Sequence, residues 1–498
     1  MPDNIEHVVY LLLENQSFDR LLGCFRQIYP DLEGLNAPGQ PPYTNSDDKG
    51  VIYTQKPTEA KQVTLDPKHE ARFVLEQLKD NNGGFVLDFA RNYPGSTTQQ
   101  RQEIMGYYPL GFLLGLHTLA REFTICDHWF SSLPGPTWPN RFFALTGTCH
   151  GQALMPEGWK DPQLATYFDQ TQDTIFDRLS QGGRSWHVYY YDFPSSLLLD
   201  HQRRPENLIH YRHIDDFFQA CANGSSLPDF IFIEPKYFGQ DQNDDHPPHN
   251  IFKGEKLIAD VYNAIRSNPE LWERSLLVVT FDEHGGFYDH VSPPSAVSPD
   301  DLPAKIDPND PSIKFAFDRL GVRVPAILVS PWVPKGFDKT EFDHTSLLKY
   351  LIDKWGLGPL GRRTAAATSI SVAIGDQLRY DTPAFIRVPY TQLVPPDPAL
   401  ERDDSSEHHR ALQAFAYHLA RQTGNVSALE EASREAGKWI RIKSIIGNAM
   451  LSAGAKLTSD LQNSNKDKIE VTMRVVESMI QTARSAGSPP GPKSSRSV

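Results

Sequence analysis

The run Leu276–Phe281, LLVVTF, followed at once by Asp282, Glu283, His284, Gly285 and Gly286, narrows the fold more than any other stretch. Apolar and β-branched residues without alternation predict a strand buried on both faces, the pattern of a parallel sheet covered by helices. Asp289 and His290 close the segment. Ionised groups packed so densely behind a buried strand must be paired or bind a metal. In open α/β sheets ligands sit beyond the carboxyl ends of the strands, and adjacent glycines let the backbone turn tightly and approach a ligand. A solvated acidic loop is the competing reading of this stretch alone.

Other stretches repeat the arrangement. Val8–Leu13 predicts a buried strand ending in Glu14-Asn15-Gln16-Ser17-Phe18-Asp19. A carboxylate and a carboxamide there can share a hard cation; helix capping by Asn15 or Ser17 is the alternative. Trp186–Tyr191, Asp229–Ile233 and Val324–Ser330 predict further strands. Asp229–Ile233 runs into Glu234-Pro235-Lys236-Tyr237, then Asp244-Asp245-His246-Pro247-Pro248-His249, then a helix over Gly254–Arg266. With the strand at 276–281 this makes a right-handed βαβ unit, which places His246 and His249 on the Asp282 side of the sheet. His344 stands where a helix over Leu347–Trp355 begins, and His69 where one begins near Asp66 and runs to Leu78. Strands alternating with polar-headed loops predict a large α/β domain with a mostly parallel sheet.

In Leu133-Pro134-Gly135-Pro136-Thr137-Trp138-Pro139-Asn140-Arg141 a threonine is held between prolines, ahead of a helix over Arg141–Gly147. A helix N-terminus attracts phosphate, and a nearby metal would lower the hydroxyl's pKa, which suits a nucleophile. Thr137 as a plain N-cap is the alternative.

After about Gly361 the character changes. Thr382–Pro398 is proline-rich, and helices are predicted over Glu407–Arg421, Ala428–Leu451 and Lys466–Arg484, with disorder over Ser485–Val498. The expected organisation is a catalytic domain over 1–360, a proline-rich and helical region over 361–484, and a tail over 485–498. The apolar stripe Ile469, Met473, Val476 and Ile480 suits a core or a homo-oligomer contact.

A net charge of −13 argues against a nucleic-acid surface. Four widely spaced cysteines without a CxxC pair indicate neither a disulfide framework nor a thiolate zinc site. With no run of about eighteen apolar residues, at most peripheral membrane contact is expected. With no leader visible, a cytoplasmic location is the default, and secretion follows if a leader was removed.

Glu14-Asn15-x-Ser17-Phe18-Asp19, Thr137-x-Pro139-Asn140-Arg141, Asp282-Glu283-His284-Gly285-Gly286-Phe287-Tyr288-Asp289-His290-Val291 and Arg323-Val324-Pro325…Ser330-Pro331-Trp332 occur in that order. This set resembles the phosphoesterase family of bacterial and plant non-specific phospholipases C and related acid phosphatases, over roughly residues 5–360. The resemblance implies an alkaline phosphatase-like sheet sandwiched by helices. It implies a divalent ion (Mg²⁺, Ca²⁺, Mn²⁺ or Zn²⁺) on Glu14, Asn15, Asp282 and Glu283, with Thr137 as nucleophile. His246, His249 and His344 would contact phosphate or give protons, His344 first among proton donors. Asn15, His69, Asn140, Glu234 and Tyr237 would contact substrate. The expected reaction is hydrolysis of a phosphatidylcholine-type glycerophospholipid to diacylglycerol and a phosphorylated headgroup. A broad acid phosphatase or phosphodiesterase acting on soluble esters is the alternative, and a non-catalytic lipid- or metal-binding protein the remote one.

Overall fold

The computed structural model describes residues 3–389 except 38, 157–166, 225–226, 238–240 and 307–311; beyond 389 it describes only Ala411, Ala414, Phe415, His418, Ile480, Gln481, Ala483 and Arg484. The chain divides into two compact units. The first comprises Met1–Met155, Gln172–Ser196 and Arg212–Asp403; the second comprises Pro156–Thr171, Leu197–Tyr211 and Asp404–Val498. The first unit therefore continues past the boundary expected at 360. Its later segment packs on the helix Ile251–Arg266, where Asn263 exchanges hydrogen bonds with the backbone of Ile386 (2.8 Å each).

An eight-stranded sheet organises the first unit. We number its strands in chain order: β1 His7–Leu13, β2 Thr124–Cys126, β3 Trp186–Tyr190, β4 Tyr211–His213, β5 Phe230–Glu234, β6 Ser275–Phe281, β7 Ala326–Val329 and β8 Gly336–Asp338. The spatial order is β8-β2-β7-β6-β1-β5-β3-β4. β1 lies at the centre, parallel to β5 on one side and β6 on the other, and β3 runs parallel to β5. β7 is antiparallel to both β6 and β2. The sheet is thus mostly parallel, as expected, but Val324–Ser330 supplies its reversed strand. The β5–helix–β6 crossover spans β1 instead of joining neighbours.

Every residue of β5 and β6 is buried, and only His7 of β1 is not. Unalternating Leu, Val, Ile and Phe are stable there because helices cover both faces. Four helices matter for the site: α1 Leu114–Glu122, α2 Thr137–Thr146, α3 Ile251–Arg266 and α4 His344–Trp355. α3 buries Leu257, Ile258, Val261, Tyr262 and Ile265, the face its periodicity predicts. α4 is opened by a capping box on Asp343 and closed by Gly356 in the left-handed conformation.

In the second unit Phe168 packs on Phe415 and His418, both with ring centroids at 5.3 Å. Ala411, Ala414, Phe415 and His418 are helical and buried, one face of the helix expected over Glu407–Arg421. Ile480, Gln481, Ala483 and Arg484 are helical, within the span expected over Lys466–Arg484. The helix expected over Ala428–Leu451, the stripe residues Ile469, Met473 and Val476, and the tail 485–498 lie outside the described residues.

Candidate active site

Strand register assembles the site. Leu13 of β1 pairs with Phe281 of β6, so Glu14-Asn15 and Asp282-Glu283 leave adjacent strand ends side by side, about 5 Å apart. The Asn15 amide donates to Asp282 Oδ1 (3.2 Å) and the Asp282 amide to the Leu13 carbonyl (3.1 Å). Asn15 adopts φ +60°, the left-handed region that Asn tolerates better than most residues. Gly285, at φ +64°, lies against it: a Cβ there would stand 2.2 Å from the Asn15 carbonyl oxygen. Glycine is required at 285 by that approach. Gly285→Ala is expected to displace Asn15 and lower turnover by at least about tenfold, a loss of order 1.4 kcal/mol. Steady-state kinetics beside thermal melts would check this, and wild-type kinetics in a folded variant would contradict it.

α2 brings the hydroxyl. It starts at Thr137, with Pro136 as N-cap and Pro139 in its first turn, where no amide partner is needed. All ten of its residues are buried. Thr137 does not cap the helix; its Oγ1 donates to Asn15 Oδ1 at 3.1 Å. Glu14, Asn15, Thr137, Asp282 and Glu283 are wholly shielded from solvent.

One turn along α2, Arg141 carries the positive charge of the site. Its Nε bonds Asp282 Oδ2 (2.9 Å), and its terminal nitrogens lie 3.2 Å from Glu14 and 3.4 Å from Glu234. They also reach the Tyr237 hydroxyl (2.7 Å) and the Leu12 carbonyl (3.1 Å). This central role was not expected: Arg141 was part of a motif, with no task assigned to it. Three buried acids, Glu14, Glu234 and Asp282, thus share one guanidinium. Burial, opposed by Arg141 and reinforced by Glu14, pushes the Asp282 carboxyl up to about 7. The excess of buried carboxylate calls for further positive charge. The donors are all oxygen, from Glu14, Asn15 and Asp282, with Glu283 adjoining. Oxygen donors are the kind a hard divalent cation takes, but among the described residues Glu14, Asp282 and Glu283 do not form a group of three acids or histidines whose ligand atoms lie within 4.8 Å of one another.

The other expected residues sort into three groups. His69, His246 and His249 form a histidine cluster: the His69 and His246 rings stand edge to face at 5.8 Å, and His249 lies 5.8 Å from His246. His249 Nδ1 is held by Asp244 at 2.6 Å. Glu234 and Tyr237 stand behind Arg141. Tyr237 donates to Glu234 (2.6 Å), which also accepts from the Ser195 hydroxyl and the Ser196 amide. Their contacts position Arg141, in place of the expected substrate contact. Asn140 is committed to its own loop: its amide bonds the backbone of Leu133, Gly135 and Pro136. It fixes the turn that presents Thr137.

His344 differs from the expectation that it donates the proton. The Trp129 indole, which can only donate, bonds His344 Nδ1 (3.3 Å), so Nδ1 is unprotonated. Nε2 then carries the hydrogen and gives it to the Asp282 carbonyl (2.7 Å). Burial pushes the ring's pKa down to about 4. The neutral ring has both nitrogens engaged and holds Asp282 in place, its Nε2 hydrogen committed to the Asp282 carbonyl.

Asp19, Asp289, His290 and Arg323, from the same motifs, build a separate buried network. Arg323 binds Asp19 (3.0 Å) and Asp289 (3.2 Å); His290 lies between Asp19 (2.8 Å) and Glu33 (3.1 Å). Burial opposes the charged ring of His290, but Asp19 and Glu33 outweigh it and push the pKa up to about 9. This contribution to stability is full below the unfolded value of about 6.5 and is lost as pH rises through 9. Melts from pH 6.5 to 9.5 are expected to show a loss on the order of 2–3 kcal/mol that His290→Gln abolishes. An unchanged pH slope in that variant would contradict the assignment.

The model of the phosphoesterase family matches residues 5–358. Non-specific phospholipase C6 of Arabidopsis thaliana is 36% identical over 362 residues, covering 69% of this chain and 66% of that protein. Non-specific phospholipase C1 of the same plant is 34% identical, covering 69% and 65%. Phospholipase C B of Mycobacterium tuberculosis is 29% identical over 411 residues, covering 73% and 75%. The chain spans just under two thirds of the length of the first two. Among solved structures, an alkaline phosphatase superfamily protein from Vibrio parahaemolyticus aligns at TM-score 0.31 and 11% identity, over 77% of this chain and 92% of that one, too loosely to match residues. Among the described residues no helix is long and apolar enough to cross a membrane. With its family model spanning the whole central sheet and every strand end described above, this chain belongs to the phosphoesterase family.

Proposed function

We propose that the protein is a phospholipase C that hydrolyses glycerophospholipids of the phosphatidylcholine type through a phosphothreonine intermediate. The observation that carries this reading is the bond from Thr137 Oγ1 to Asn15 Oδ1, with Asn15 itself held by Asp282. It sets a hydroxyl, a helix N-terminus and a metal-type oxygen set within a few bonds of one another.

Glu14, Asn15 and Asp282, with Glu283 adjoining, would hold the divalent ion, which supplies positive charge to the phosphoryl oxygens and lowers the pKa of a neighbouring hydroxyl. Thr137 Oγ1, its proton lost to water, attacks phosphorus in line with the departing glycerol oxygen. The buried Asn15 Nδ2, which has no hydrogen-bond partner among the described residues, donates to a phosphoryl oxygen. His69 contacts the same group, and His246 gives the proton to the leaving alcohol, with His249 and Asp244 behind it. Arg141 and His344 keep Asp282 in position. Water then releases the phosphorylated headgroup: its proton goes to His246, and the freed Thr137 oxygen regains a proton from solvent.

The runner-up, hydrolysis of soluble phosphate esters, uses the same chemistry on another leaving group. Purified protein with Mg²⁺, Ca²⁺ or Mn²⁺ would be given phosphatidylcholine vesicles and soluble phosphomonoesters in parallel. The proposal expects diacylglycerol release at a kcat/KM above that for any monoester. The reverse ranking would reject the lipid assignment.

A further inference from the structure

Apart from the oxygen set at Asp282, the loops carry a nitrogen-bearing one. Asp66, His69 and His246 each offer one ligand atom, and the three atoms lie within 4.8 Å of one another. Both histidines are buried and Asp66 is partly so. They come from two separate loops, one ahead of the helix Ala71–Gln77 and one ahead of α3. Their ring orientations are fixed by the backbone. His69 Nδ1 faces the Pro67 carbonyl at 2.9 Å, and His246 Nδ1 faces the Pro247 carbonyl. A carbonyl only accepts, so each Nδ1 carries a hydrogen and Nε2 is the nitrogen left to ligate. Metal-bound histidines are oriented in this way, one ring nitrogen donating to a backbone carbonyl while the other ligates. The Asp66 carboxylate stands 4.0 Å from His69 Nδ1.

We propose that Asp66, His69 and His246 form a second metal site, for a zinc-class transition ion, distinct from the oxygen set of Glu14, Asn15 and Asp282. Two imidazoles and a carboxylate with one position open are a zinc donor set. Imidazole ligands shift preference away from Mg²⁺ and Ca²⁺ towards Zn²⁺, Cu²⁺ and Ni²⁺. With both rings held by backbone carbonyls, closing to zinc distances of about 2.0–2.2 Å falls chiefly to the partly exposed Asp66 carboxylate. An ion there takes the lone pairs of His69 and His246, the rings that contact phosphate and move the proton in the proposed reaction. Zinc therefore inhibits, in competition with substrate. The inhibition rests on the proposed function; the binding does not.

The test uses the full chain preloaded with Mg²⁺ and titrated with Co²⁺ as a visible probe. One equivalent is expected to give the absorption of nitrogen-ligated Co²⁺, displaced by Zn²⁺. Asp66→Asn and His69→Ala are each expected to weaken it at least about tenfold, while Asp282→Asn leaves it in place. Circular dichroism confirms that each variant is folded, and Asp66→Asn serves if His69→Ala is not. No Co²⁺ uptake, or a signal unchanged by both loop substitutions, overturns the site. In the activity arm Asp66→Asn keeps zinc-free turnover and needs at least about tenfold more Zn²⁺ for half-inhibition. Equal zinc sensitivity in the variant and wild type overturns the inhibitory role. A protein that takes up Co²⁺ at these residues but turns over no phosphate ester supports the site and rejects the functional reading instead.

Discussion

Thr137→Ala is expected to lower kcat by at least about 10³-fold and to leave the fold intact. The side chain is small, and its hydroxyl makes one polar contact, to Asn15 Oδ1. Its loss removes a nucleophile and little packing, so the melting temperature should move by a few degrees at most. Thr137→Ser keeps the hydroxyl and should retain measurable turnover; wild-type turnover in Thr137→Ala would exclude the role. The comparison separates nucleophile from cap: Thr137 makes no capping bond, so loss of helix stability cannot account for a loss of rate.

Arg141→Met is expected to produce the largest loss of stability, about 3–5 kcal/mol, because it leaves buried carboxylates without their shared counter-charge. Methionine fills similar volume, so the loss reports charge. The sign of the pH dependence follows. Asp282, already pushed up to about 7, protonates readily once the guanidinium is gone. The gap between wild type and variant should narrow as pH falls from 8 towards 5, since neutral acids no longer need Arg141. Denaturant unfolding at both pH values checks this. A gap that widens on acidification would show that Arg141 acts through packing.

Much of the scaffold was legible because buried parallel strands have a strong pattern. β1, β3, β5, β6 and β7 lie where unbroken apolar runs put them, within a residue or two. β2, β4 and β8 were not foreseen. They are three-residue strands, Thr124–Cys126, Tyr211–His213 and Gly336–Asp338, too short for periodicity to register. The reversal of β7 was also hidden, because an apolar run reads the same in either direction. In the site, the hydroxyl, the carboxamide and the acids were legible because each closes or follows a strand or opens a helix. Arg141 was missed because nothing local marks it: its partners Glu14, Glu234 and Asp282 lie on three different strand ends. The hydrogen bonds that engage both nitrogens of His344 were hidden for the complementary reason. Its sequence context places it at a strand-to-helix junction, but only the indole of Trp129, far away in the chain, fixes its tautomer. Asp19, Asp289, His290 and Arg323 show that a shared motif can mark a buried brace as well as a reacting group.

The most direct test of the account is to find where the phosphoryl group goes. Protein quenched in acid during turnover, digested and sequenced by mass spectrometry should carry a phosphoryl adduct, with its headgroup if the substrate is a diester, on the peptide containing Thr137. Thr137→Ala should carry none. An adduct on His246 or on any other residue, in protein that is turning over, would contradict the assignment of Thr137, Asn15 and Asp282 as the reacting centre.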